Sequence, residues 1–263
     1  MILQTTGWAQ EEFGQIQLGD KRRVKRLIRL ATERTAQPSA SIPQSCGSFS
    51  ATKAAYRLCA NEEVSREEIL LSHRRVTLSR LAPEKIILAV QDTTQLDYSS
   101  HPATTGLGIL HDAEHRGLLL HTTLAVTPQR VPLGLLDQQV WVRPAADLGK
   151  RHRCRSQTVA EKESQKWLTS LEATAAVQQE LLQTPLVSVG DREADFYDLF
   201  MQAQALHQDV LVRAARDRAG GPCRGTPVGL SGESAGSRQP DGDHPAPGEP
   251  DRPTTARRRG SPS

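Results

Sequence analysis

Two short apolar runs, each closing on an aspartate, most constrain how this chain folds. Ile86-Ile87-Leu88-Ala89-Val90 leads into Gln91-Asp92-Thr93-Thr94, and Leu186-Val187-Ser188-Val189 leads into Gly190-Asp191-Arg192. A short, continuous apolar run predicts a strand buried on both faces. An acidic residue directly after such a strand predicts a carboxylate at the sheet's C-terminal edge, where α/β folds assemble their sites. If the two strands are neighbours, the carboxylates converge and raise each other's pKa unless a cation lies between them. Hard divalent ions take carboxylate oxygens, and two such ions about 3.5–4 Å apart support phosphodiester cleavage. The plainer alternative is that each aspartate caps a turn or a helix. From the residues alone both stand open.

The elements around these runs follow from periodicity. Residues 1–80 read as helical: Gly19-Asp20 offers an N-cap, and Lys21 to Arg34 carries Val24, Leu27, Ile28, Leu30 and Ala31 on one side. Pro38 to Phe49 is rich in Ser, Pro and Gly and predicts a loop. Ala51–Leu58 and Ser65–Leu81 predict two more helices, the second opening with Ser65 and Glu68 at capping-box spacing. Beyond Pro83, strands are predicted at Ile86–Val90, Leu118–Val126, Val131–Val142, Leu186–Val189 and Val210–Val212, with helices at Val159–Leu182 and Ala194–Leu206. Three adjacent strands followed by helix, strand, helix and strand match a mixed α/β sheet of the ribonuclease H-like kind over 83–218, an order that several mixed α/β folds share, preceded by a small all-α domain over 1–80.

Residues 219–263 differ in character. They hold 9 of the 19 glycines and 8 of the 16 prolines, and contain no Ile, Phe, Tyr, Trp, Met, Asn or Lys. Such a composition buries too little apolar surface to offset its ordering entropy, which predicts a disordered tail. It also resembles a GC-rich gene translated out of frame.

The net charge of +3 hides a local concentration. Lys21, Arg22, Arg23, Lys25, Arg26 and Arg29 project from one predicted helix, and Lys53 and Arg57 sit four apart on another. Such faces neutralise phosphates and release counterions, which makes them the DNA-contact candidates; a solvated helix face is the alternative. No stretch approaches the roughly 20 apolar residues of a membrane span. The N-terminus lacks the basic-then-apolar pattern of a signal peptide, so a cytoplasmic location is expected. Cys46, Cys59, Cys154 and Cys223 form no C-x-x-C pair and are expected to be buried or incidental thiols.

Several motifs occur in a fixed order. They are Gly7-Trp8-Ala9, Leu18-Gly19-Asp20-Lys21-Arg22-Arg23, Ala54-Ala55-Tyr56-Arg57, and Asp92-Thr93-Thr94 with Leu96 and Tyr98. Trp141-Val142-Arg143-Pro144, Glu161-Lys162-Glu163-Ser164 with Lys166-Trp167-Leu168, and Gly190-Asp191-Arg192-Glu193-Ala194-Asp195 follow. Together, over residues 7–218, they resemble the N-terminal part of the insertion-sequence-four family of DDE transposases, transposon-five type. The resemblance implies that Asp92 and Asp191 are catalytic metal ligands for Mg²⁺ or Mn²⁺ in a two-metal strand-transfer enzyme. It implies double-stranded transposon ends as the partner, cut through a DNA hairpin within a dimeric complex, and no membrane. It also implies that Arg213, after the fifth strand, lies near the DNA backbone.

The family's third acid is a Glu within a spaced Tyr, Arg, Glu, Lys signature. No Tyr follows Tyr197 and no Lys follows Lys166, so no third acid is assigned. The family's inserted β-rich segment and its dimerising segment have no counterpart either. Loss of one member of a catalytic unit costs orders of magnitude. The expectation is weakened metal binding and no strand transfer by this chain alone, with a homo-oligomer or a full-length transposase as protein partners. The alternatives are a DNA-binding regulatory or inhibitory fragment, a decayed-gene product without a stable fold, and a metal-dependent nuclease or phosphatase using Asp92, Asp191 and a local acid such as Asp195.

Overall fold

The computed structural model describes residues 7–144 and 163–215. The predicted tail over 219–263 and the first residues of the helix predicted from Val159 lie outside the described residues. So do Glu161 and Lys162 of the motif above.

Five helices come first: α1 (Trp8–Phe13), α2 (Lys21–Ala36), α3 (Ile42–Cys46), α4 (Phe49–Cys59) and α5 (Arg66–Leu81). Asp20 caps α2, its side chain accepting from Arg22 N at 2.8 Å. Ser65 caps α5 by accepting from Glu68 N, but its hydroxyl then donates to Glu67 rather than completing a reciprocal box. The stretch predicted as a loop contains α3. Ser41 and Gln44 close a full capping box there and Pro43 occupies the first turn, so local capping overrides the loop-like composition. Cys46 of α3 is buried with Ala51 and Ala55 of α4 against Leu30 and Ile42. Cys59 is exposed.

The sheet contains β1 (Ile87–Asp97), β2 (Gly108–Ile109), β3 (Arg116–Val126), β4 (Pro132–Trp141), β5 (Leu186–Gly190) and β6 (Asp209–Val212). The helices α6 (Gln165–Glu180) and α7 (Tyr197–Ala205) connect its second half. Antiparallel pairs join β1 to β3 and β3 to β4, with the short β2 on the same side of β3. Parallel pairs join β1 to β5 and β5 to β6. The helix predicted to start at Ala194 is instead a 3-10 turn, Arg192–Ala194, followed by α7.

One face of the sheet carries the core. Ile87, Ala89, Ala125, Leu136 and Leu186 from the strands pack with Leu81 and Val177 from α5 and α6. Leu81 therefore ties α5 to the sheet, although its sequence grouped it with the helices of 1–80. The rest of α5 lies along the outer edge of β4 and satisfies its backbone. Arg80 donates to Leu133 O at 3.1 Å, Leu135 N donates to His73 Nε2 at 2.7 Å, and Arg66 donates to Gln138 O at 3.4 Å. Since Nε2 of His73 accepts, its proton sits on Nδ1, which meets the carboxylate of Glu12 on α1. Arg80 reaches the other oxygen of the same carboxylate, and Ser72 donates to Glu12 O at 2.7 Å. Glu12 is 2% exposed, so a single buried acid docks α1 onto α5 and, through His73, onto the edge strand.

Glu12→Leu removes the acceptor of both His73 and Arg80. Hydrogen bonds to charged groups contribute about 1.5–3 kcal/mol each, so urea unfolding should show a loss of about 2–3 kcal/mol. A midpoint unchanged from the parent chain would remove Glu12 from its docking role.

Candidate functional site

The parallel strands place three sequence-predicted residues at one end of the sheet. The β1–β5 register runs from Ile87↔Leu186 to Val90↔Val189, so Asp92 and Asp191 each lie two residues beyond the last pair. Asp92 was expected directly after its strand. Instead it lies inside β1, because Gln91–Asp97 keep pairing with β3 (Asp92↔Thr122, Asp97↔Gly117) after the parallel partner has ended. Ile87, Ala89 and Gln91 are buried and Asp92 is exposed, so strand alternation turns Asp92 to the face away from the core. Leu186 and Ser188 are likewise buried, and the same alternation puts Asp191 on the face of Asp92. Arg213 follows β6 at the same end, its N–H donating to Gly190 O at 3.1 Å.

Both carboxylates also have local duties. Asp92 Oδ1 accepts from Thr93 N at 2.8 Å, and Asp191 Oδ1 accepts from Glu193 N at 2.8 Å, capping the 3-10 turn. Of the neighbouring acids, Glu193 meets Lys166 Nζ at 3.0 Å, and Asp195 Oδ2 accepts from Ala215 N at 2.7 Å. Oxygen donors from Asp92 and Asp191 suit a hard divalent ion.

Beneath this edge lies a buried polar layer that the sequence reading missed. His121 of β3 is fully buried, with its Nδ1 2.9 Å from Thr93 Oγ1 and its ring edge-on to Trp167 at 4.7 Å. Burial first, and then the positive charge of Lys166, push the His121 pKa down from 6.5 to about 4, against opposing pulls from Asp137 and Asp191. Gln139 joins this layer by donating to Ser170 Oγ at 2.9 Å and to Asp137 Oδ2 at 3.1 Å. The available signal was the alternation of β3, which puts His121 on the same face as Leu119 and Ala125. Gly190 allows Trp167 to close over the layer: a Cβ there would lie 2.6 Å from Ala194 Cβ and 3.1 Å from Trp167 Cζ3.

The basic residues divide by orientation. Lys21, Arg22, Lys25 and Arg29 on α2, and Lys53 and Arg57 on α4, are exposed. Arg22 pairs with Asp20 at 2.9 Å, and Arg29 with Glu33 at 2.6 Å. Lys21 and Lys25 border a cleft against the α1–α2 connection with Gln10, Gln15 and Gln17. Arg23 and Arg26, expected on the DNA-facing side, turn inward instead. Arg23 donates to Leu18 O at 2.9 Å and pairs with Glu63. Arg26, with only 12% of its side chain exposed, donates to Ala51 O and ties α2 to α4. A run of cations six residues long winds past one helical face, so its i+2 and i+5 members meet the protein.

Residues 5–64 match the transposase DNA-binding family. The match covers α1 to α4 and ends at the turn before α5. That is the segment carrying Lys21, Lys25, Lys53 and Arg57, and the match supports a transposase-like DNA-binding role for it. Among solved structures, the chain is similar to one titled "Crystal structure of a pre-cleavage Mos1 transpososome", at 14% identity and a TM-score of 0.25. The alignment covers 71% of this chain and 58% of that one, so this chain spans under two thirds of the other's length. Among the described residues, no helix is long and apolar enough to cross a membrane.

Two outcomes follow for the buried layer. Gly190→Ala forces Trp167 or the 3-10 turn to move and should cost about 1–3 kcal/mol in urea unfolding; an unperturbed midpoint would show that the contact yields freely. The folded pKa of His121 lies below its ordinary value, so between pH 6.5 and about 4 the unfolded chain binds a proton there that the folded chain refuses. Stability should therefore fall as pH drops through that window. The fall should be smaller in His121→Gln, measured by denaturation at pH 7 and pH 4.5.

Proposed function

We propose that this chain binds transposon-end DNA through α2 and α4, and that its sheet belongs to the catalytic core of a ribonuclease H-like DDE transposase. The observation that carries the reading is the coincidence of the transposase DNA-binding match with the outward cations Lys21, Lys25, Lys53 and Arg57. The sheet adds support. Four antiparallel strands, β1 to β4, joined through β1 to the parallel β5 and β6 give the expected mixed order, with Asp92 and Asp191 on one face of one end. The order of motifs matches the insertion-sequence-four, transposon-five type.

Asp92 and Asp191 would hold Mg²⁺ or Mn²⁺. Such an ion supplies charge stabilisation and Lewis-acid activation at a phosphodiester. The chain's own residues set the stage for this: β1 and β5 bring the two aspartates level, Trp167 and His121 support that edge from below, and Arg213 adds a cation beside it. An inhibitory or regulatory role toward a full-length transposase belongs to the same reading, as does a dimeric assembly on paired ends.

The test is a salt-titrated binding assay on the full chain. Its ligands are the parent element's end sequence and a scrambled duplex of equal length. End DNA should bind more tightly and weaken as salt rises, and each lost phosphate contact should lower the log–log salt slope by about 0.9. Lys21→Ala with Lys25→Ala should weaken binding at least tenfold, whereas Asp92→Asn should leave it unchanged. Equal, weak binding to both duplexes would overturn the reading.

A further inference from the structure

The loop joining β2 to β3 brings together three side chains that no part of the reading above uses. His111, Asp112 and His115 each offer a ligand atom, and these atoms lie within 4.8 Å of one another. Among the described residues, no other group of three histidine, cysteine or acidic side chains converges in this way. We propose that this trio is a binding site for a borderline divalent transition ion of the zinc class.

The donor set selects the ion. Two imidazoles and one carboxylate are the nitrogen and oxygen ligands that zinc takes, whereas Mg²⁺ and Ca²⁺ prefer oxygen alone. The spacing also fits. With bonds of about 2.0–2.1 Å, neighbouring ligands of a tetrahedral zinc lie about 3.3 Å apart. Here His111 Nε2 lies 3.3 Å from Asp112 Oδ2, while His115 Nδ1 and Asp112 Oδ1 share a hydrogen bond at 2.7 Å whose proton an entering ion would displace to solvent. The two imidazole rings lie beside each other, with centroids 4.1 Å apart and 30° between their planes.

The loop is held in this shape without an ion. Leu110 N donates to His115 O at 2.9 Å, closing the turn. Asp112 Oδ1 accepts from both Glu114 N and His115 N at 2.9 Å, leaving Oδ2 toward His111. Arg143 anchors the base of the loop: it donates to Leu110 O, it pairs with both oxygens of Glu163, and its backbone bridges to Ile109. A turn whose backbone is already satisfied loses little further freedom when an ion binds, which favours affinity. All three side chains are partly exposed, so an ion can enter and keep a water or an outside ligand in its fourth position.

The site is separate from the aspartate pair. Asp97 pairs with Gly117 at the base of the loop, five residues further along β1 than Asp92. At about 3.4 Å per residue that is roughly 17 Å. The two sites would also differ in ion preference, one all-oxygen and one nitrogen-rich.

Zn²⁺ titration of the full chain by calorimetry, in excess Mg²⁺, tests the proposal, with Co²⁺ absorption reporting the coordination. The expected result is one ion per chain, bound at least tenfold more weakly by His111→Ala and by His115→Ala, and unaffected by Asp92→Asn with Asp191→Asn. His111 makes no bond to the loop backbone, so His111→Ala tests the site even if His115→Ala disturbs the turn. Zn²⁺ binding that survives His111→Ala, or that disappears with the aspartate variant, would overturn the assignment. So would an absence of binding at micromolar Zn²⁺.

Discussion

Four residue pairs between β1 and β5, Ile87↔Leu186 through Val90↔Val189, carry the architecture. They join segments about a hundred residues apart and turn an antiparallel meander into a mixed sheet. Parallel pairing of this kind needs a crossover and side chains to hold its register. Gln178 on α6 provides one clamp, accepting from Leu186 N at 2.7 Å while donating to Leu181 O and Thr184 O. Thr184 donates to Glu84 O at 3.0 Å, and Ile87 N donates to Pro185 O at 2.9 Å, locking the start of both strands. Removing this ladder would separate Asp92 from Asp191 and detach the paired β5 and β6 from the rest of the sheet.

The site at the end of the ladder is built in two layers with opposite solvent regimes. Asp92 and Asp191 are exposed, so their charges remain hydrated and cost little in the absence of a cation. Gln91, one residue before Asp92, and Ser188, three residues before Asp191, are buried in the layer of His121 and Trp167. Strand alternation makes this sharp separation possible: a shift of one residue in register would exchange the two layers. A neutral His121 suits the inner layer, since it bonds Thr93 without bringing a charge beneath the carboxylates.

Much of this was legible in the amino-acid sequence because it depends on local runs. Ile86–Val90 and Leu186–Val189 announce the parallel strands through burial, and Asp20 announces α2 through its capping chemistry. Other features depend on partners far away in the chain. Thr93–Asp97 look like the polar end of a strand, yet β3 extends the ladder through them and draws Asp92 inside β1. Arg23 and Arg26 belong to a run that reads as uniformly basic, and only the position of Glu63 and of the Ala51 carbonyl decides which cations face inward. Helix α3 was hidden because Ser, Pro and Gly suggest a loop, although Ser41 and Gln44 were at capping-box spacing. The His111-Asp112-x-x-His115 pattern was equally visible in sequence, but only the closure of the β2–β3 turn brings its ends together.

The way α5 lies against β4 has a consequence for how the sheet can grow. Arg66, His73 and Arg80 occupy backbone groups that an incoming strand would need, so that margin is capped by side chains of the same chain. The opposite margin, β6, pairs only with β5 among the described residues. Addition of a strand is therefore directional: a further strand can extend the sheet beside Arg213, but not beside α5. The sheet thus has one margin closed by the chain's own helix and one margin open, and it can lengthen in only one direction.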